Sequence, residues 1–158
     1  MKASSLVVAA ALTALACVAS AQTTVSEPWV RATVPQQKAT GAFFKISSTQ
    51  GGKLVSVSSA AAGVVELHEM KLEGTTMKMA ALPSLDLPAG KTIELRPGSY
   101  HVMLMDLKAP LTAGNQVDLN LVIEGMDGKR QTVAVKAPVR PLGQAMAGSA
   151  PAEHHHHH

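Results

Sequence analysis

Outside a terminal run of five, the chain holds two histidines, and each is followed two residues later by a methionine: His68 by Met70, and His101 by Met103. In a β-strand, residues i and i+2 leave the same face. A strand carrying His101 and Met103 therefore presents an imidazole and a thioether side by side, while Val102 turns the other way. His68 and Met70 offer the same pair, and Met77-Lys78-Met79 adds two more thioethers at the same spacing on the next segment. A thioether is a soft, neutral donor and imidazole accepts copper in either oxidation state. A set of two histidines and two methionines thus points to copper(I) rather than zinc, calcium or magnesium. Glu66 and Glu69 are the only carboxylates close to the cluster. Methionine binds metal without first losing a proton, and it suits an oxidising compartment in which thiols do not persist. It is also an ordinary core filler, and histidine an ordinary surface residue, so the spacing alone leaves a metal site and plain strand packing both open. Met105 and Met126 have no histidine beside them and read as core packing.

The segments that must position these residues show apolar side chains at period two, separated by Gly, Pro, Ser and Asn. The pattern predicts strands near Gly41 to Ser48, Lys53 to Ser58, Val64 to Leu72, Thr76 to Ala81, Lys91 to Leu95, Tyr100 to Leu107, Gln116 to Glu124 and Arg130 to Lys136. Turn chemistry lies at Glu73-Gly74, Arg96-Pro97-Gly98 and Asp127-Gly128, among others. Short strands at such spacing predict an antiparallel sandwich or small barrel. No segment carries a helical period. From Ala137 to Glu153 the composition shifts to Pro, Ala, Gly and Ser, which predicts a tail without fixed structure.

Composition narrows the class further. Lys2, the uncharged apolar stretch Leu6 to Val18 and the small triplet Ala19-Ser20-Ala21 read as a secretory signal peptide over residues 1–21, cleaved before Gln22. That stretch is too short to span a bilayer and nothing later is apolar enough, so stable membrane insertion is not expected. Cys17, the single cysteine, leaves with the signal peptide, which excludes disulfides, zinc knuckles and blue-copper centres from the mature protein. A lipidated Cys17 is the alternative, although Leu15 stands one place later than a lipidation box puts it. Residues 22–140 make one domain and 141–158 a tail. His154 to His158 reads as a purification tag, or otherwise as a native His-rich segment for copper(II). The formal net charge is +3 with the basic residues scattered, so no nucleic-acid-binding face is expected.

The gaps between four of the candidates, His68, Met79, His101 and Met103, give His-x10-Met-x21-His-x-Met. This motif resembles that of the periplasmic copper chaperones of the PCuAC type. The resemblance extends to Glu27-Pro28-Trp29-Val30-Arg31-Ala32, Gly41-Ala42-Phe43-Phe44, the run Pro97 to Met105, and Leu107-Lys108-Ala109-Pro110-Leu111. It weakens at Ile123-Glu124-Gly125-Met126, where the family more often has an aromatic and a basic residue. It implies an all-β, cupredoxin-like antiparallel β-sandwich or Greek-key barrel, a periplasmic monomer, and copper(I) held by His68, Met79, His101 and Met103. Met70 and Met77 remain additional thioethers. The implied partner is the dinuclear CuA domain of a cytochrome c oxidase subunit, or another copper chaperone. Trp29 reads as core and Arg31 as a surface or hydrogen-bonding residue.

Three other functions compete. An enzyme finds no Ser-His-Asp set, no paired carboxylates and no cofactor fingerprint in the chain, and thioethers hold copper reduced, which favours carriage over turnover. A copper buffer or resistance protein would use the same ligands without a dedicated acceptor. A plain interaction module would bury the methionines.

Overall fold

In the strand Gln116–Gly125, Val117, Leu119, Leu121 and Ile123 point inward and are at most 3 % exposed, while Asp118 and Asn120 between them face solvent. This is the pattern of a half-buried antiparallel strand, and it recurs along the chain. The computed structural model describes residues 23–141 and Gly143. The signal-peptide segment, Cys17 and the terminal histidine run lie outside the described residues.

Ten strands follow in order: β1 Thr23–Arg31, β2 Ala39–Ser48, β3 Gly52–Ser58, β4 Ala62–Glu73, β5 Thr76–Leu82, β6 Leu85–Leu87, β7 Thr92–Leu95, β8 His101–Leu107, β9 Gln116–Gly125 and β10 Arg130–Arg140. Hydrogen-bonded neighbours run β5-β4-β8-β2-β1-β10-β9-β3-β6, with β7 also on β2. All pairs are antiparallel except β1 with β10. The β5-β4-β8-β2-β1 layer closes over the β10-β9-β3-β6 layer around one apolar cluster containing Val30, Phe44, Ile46, Leu54, Leu104 and Leu121. The fold is the all-β, cupredoxin-like sandwich.

Eight expected strands are present, and two go beyond the alternation. β1 is interrupted at Glu27-Pro28: its register on β2 shifts between Ser26 and Trp29, and Glu27 takes a φ of 51°. The bulge changes which residues face inward halfway along, so no single period runs through it. β6 has three residues, too few for a pattern. The compositional tail also begins later than expected, because Ala137 to Arg140 complete β10. Ala137 and Val139 are buried there, and Val139 and Arg140 pair with β1.

β8 and β7 share one side of β2, β8 against Ala39–Ala42 and β7 against Phe44–Ser47. The turn Arg96-Pro97-Gly98-Ser99 joins them. Proline fits its second position and Gly98, at φ 83°, its third, and the Ser99 N–H donates to the Arg96 carbonyl at 3.0 Å. The β4–β5 hairpin reverses through Gly74 (φ 63°) and Thr75, with Glu73 opposite Thr76.

Leu104, fully buried in β8, and Leu72, 66 % exposed in β4, give opposite expectations. Leu104→Ala should cost about 2–5 kcal/mol of unfolding free energy, and Leu72→Ala within about 0.5 kcal/mol. Denaturant unfolding checks this, and equal losses would mean that the packed face of the sheet is misassigned.

Candidate metal centre

β4 lies between β5 and β8, and its register sets the site. His68 stands opposite His101, Glu66 opposite Met103, and Met70 opposite Met79. Directly opposed residues of an antiparallel pair share a face, so these six side chains leave the outer face of the sheet. On the other face Leu67 opposes Val102 and Val65 opposes Leu104, and they pack into the core. Three strands thus bring two imidazoles and three thioethers together without interrupting the core beneath.

The two histidines are the buried part of the site, His68 at 9 % and His101 at 7 % exposure. Their rings lie 5.6 Å apart, edge to face. Met70, Met79, His101 and Met103 line a groove of about 290 Å³ together with Arg31 and Phe43; His68 is not part of its lining and reaches the site through Met79 and the His101 ring. His68 Nδ1 is 2.9 Å from Met79 Sδ, and its Nε2 is 2.8 Å from the Glu66 carboxylate. An ionised carboxylate only accepts, so Nε2 carries the proton, and in the neutral ring Nδ1 faces the sulfur with a lone pair. In that form a nitrogen lone pair and a thioether lone pair converge, an arrangement that suits a cation. The His101 ring is held the other way round: its Nδ1–H donates to the Ser99 carbonyl at 3.3 Å, which leaves Nε2 bare. The same carbonyl accepts the Met70 N–H at 3.2 Å. Among the described residues no group of three or more His, Cys, Asp or Glu could hold a metal; the side-chain donors beside the two histidines here are thioethers.

The other candidates separate clearly. Met77 opposes Leu72, further along the hairpin, and is 48 % exposed outside the groove. Glu69 pairs with Lys71 at 2.8 Å rather than with either histidine. Met126 is 81 % exposed in the β9–β10 turn and packs no core. Met105 is half-buried on the same outer face as Met103, opposite Val64 and Ala39; period two extends to it, but it is one step beyond the groove.

Sequence reasoning did not find the wall of the site. Trp29 is buried, but on the outer face rather than in the central cluster: it stacks on Phe43 with ring centroids 4.5 Å apart, and Phe43 lies 6.4 Å from His101. The Arg31 guanidinium sits 5.7 Å over Phe43 and that of Arg140 5.3 Å over Trp29, both in the cation–π range. Gly41, opposite Met103, makes room for this stack, because a Cβ there would approach the tip of the Phe43 ring to 2.8 Å. The equal parity of Trp29 with Arg31 and of Gly41 with Phe43 is visible in the sequence; that β1 and β2 lie next to β8 is not.

Burial pushes the His101 imidazole below the ordinary histidine range. The His68 and Arg31 charges act in the same direction and the Ser99 carbonyl against it. Its neutral, metal-competent form therefore persists to lower pH than that of a free histidine, whose pKa is about 6.5. On acidification the unfolded chain takes up this proton first, so stability falls as pH drops from the unfolded value towards the folded one. In an NMR titration of the metal-free protein, the His101 ring should titrate below the ordinary value, and Arg31→Gln should move it upward. A midpoint at or above the ordinary value would contradict the burial account.

Comparison with known proteins gives a consistent result. The LpqE-like lipoprotein family model matches residues 23–139. Lxx21020 of Leifsonia xyli subsp. xyli, a protein with a lipoprotein name, is 37 % identical over 124 residues, covering 77 % of this chain and 71 % of its own length. Among solved structures, copper(I)-bound DR1885 from Deinococcus radiodurans is 32 % identical with a TM-score of 0.55, over 77 % of this chain and 81 % of that one. The apo PCuAC domain of PmoF1 is 26 % identical with a TM-score of 0.62, over 75 % of this chain and 93 % of that one. The chain belongs to the LpqE-like family and is built as a PCuAC-type domain.

Proposed function

We propose that this protein is an exported copper chaperone that binds one copper(I) through His68, Met79, His101 and Met103 and passes it to a cysteine-bearing copper domain. The observation that carries this reading is the convergence of His68 Nδ1 and Met79 Sδ at 2.9 Å, next to the groove that Met79, His101 and Met103 line. All four donors are neutral, which suits a soft monovalent ion. The copper(I) in the related DR1885 structure supports the choice of cargo. Export is supported by the signal-like pattern of residues 1–21 and by the lipoprotein names of the family and of Lxx21020.

Delivery follows from access. Met79 is 48 % exposed on β5, the edge strand of its layer. A thioether leaves copper without taking up charge, so an incoming thiolate can replace the donors one at a time through shared-ligand intermediates. The metal then moves from thioether to the stronger thiolate donor. The dinuclear CuA centre of cytochrome c oxidase offers such thiolates and is the acceptor we assign, with another copper chaperone as the alternative. With thioethers holding copper in its reduced state, the site is suited to carriage rather than turnover.

The test uses tag-free protein. Copper(I) titration against a chromophoric chelator should give one ion per chain and a colourless complex, since a filled d shell and the absence of thiolate leave no intense visible band. Mass spectrometry should then show the loaded protein metallating a cysteine-containing oxidase copper domain in the presence of excess chelator. If chelator abolishes transfer, copper passes through free solution and the protein is a buffer.

A further inference from the structure

We infer that Glu66 is a positioning residue: its carboxylate fixes the His68 ring so that Nδ1, rather than Nε2, is offered to copper. The inference rests on the proposed site and goes beyond its four donors. Glu66 and His68 are two residues apart on β4 and share its outer face, and the carboxylate meets Nε2 at 2.8 Å. The His68 side chain is 11 % exposed and that of Glu66 46 %, so the contact joins a buried ring to an anion that reaches water. Rotating the ring by half a turn would leave its N–H without this acceptor, at the cost of a buried unpaired donor. The other carboxylates of β4 are engaged elsewhere, Glu69 with Lys71 and Glu73 with Lys78. Among the described residues Glu66 pairs with no Lys or Arg, so His68 is its one charged or ionisable partner. The nearby Ser99 carbonyl already accepts from Met70 and His101. Metal-binding histidines commonly donate their second nitrogen to a carboxylate or a carbonyl, which fixes the tautomer and the ring orientation. Here each histidine has one such partner, Glu66 on Nε2 of His68 and the Ser99 carbonyl on Nδ1 of His101, so the two rings keep opposite nitrogens free.

The experiment reads the rings directly. In long-range ¹H–¹⁵N spectra of metal-free, tag-free protein, His68 should carry an exchange-protected proton on Nε2 and His101 one on Nδ1. Copper(I), which is diamagnetic, should then shift His68 Nδ1 and His101 Nε2. Glu66→Ala should lose the protected His68 proton and weaken copper(I) binding about 10- to 100-fold. Glu66→Gln keeps an accepting oxygen and should retain both. Glu73→Ala, the same charge change on the same strand, should alter neither. The inference is overturned if Glu66→Ala keeps the proton and the affinity, if Glu66→Gln falls as far as Glu66→Ala, or if copper(I) shifts Nε2 of His68. A wild-type protein that takes up no copper(I) would instead refute the proposed function, while the metal-free spectra would still decide whether Glu66 holds the ring.

Discussion

A β-strand has two faces and one register, and in β8 both are fully committed. Val102 and Leu104 are completely buried in the core, while His101 and Met103 leave the opposite side. Fixing the core therefore fixes the direction of both donors, with no freedom left in the backbone. β4 inherits the constraint through its pairing: Leu67 against Val102 holds the core side, and His68 against His101 then follows on the outer side. β5 repeats it with Met79 against Met70. The hydrophobic alternation that stabilises the sandwich is thus the same alternation that assembles the groove.

Much of this was legible in the sequence because it is local. His-x-Met at residues 101–103 and Met-x-Met at 77–79 state a shared face by spacing alone, and the turns at Gly74, Gly98 and Gly128 fall where their positive φ requires glycine. The parts that were hidden depend on which strands become neighbours. Nothing within β4 or β8 says that residue 68 will stand opposite residue 101. The Ser99 carbonyl is a backbone atom, and no residue type marks it. Trp29 is buried as its residue type suggests, but outside the central cluster: it packs against Phe43 beyond the bulge at Ser26–Trp29. Met105 and Met126 looked like core for the same kind of reason and lie elsewhere.

The surroundings of the groove have a consistent electrostatic character. Arg31 lines it and Arg140 stands in register beside Arg31; both lie over aromatic rings, and among the described residues neither pairs with a carboxylate. Among the described residues the one carboxylate in contact with a candidate donor, Glu66, touches Nε2 of His68. A cationic wall opposes a divalent ion about twice as strongly as a monovalent one, because the Coulomb energy scales with charge. The burial of both imidazoles points the same way, since a desolvated neutral site gives a doubly charged ion little in exchange for its water shell. Softness and charge therefore favour the same kind of ion.

The hairpin at Gly74-Thr75 fixes more than a reversal of the chain. Because it sets β5 against β4, it decides whether position 79 or position 78 looks into the groove, and the two carry a thioether and an ammonium. A single residue gained or lost within either arm would exchange them along the whole strand, replacing a donor by a charge that repels metal. Length change in these arms is therefore quantised: descendants of this sequence can grow or shrink there in steps of two, or bulge the extra residue out, and keep the same face.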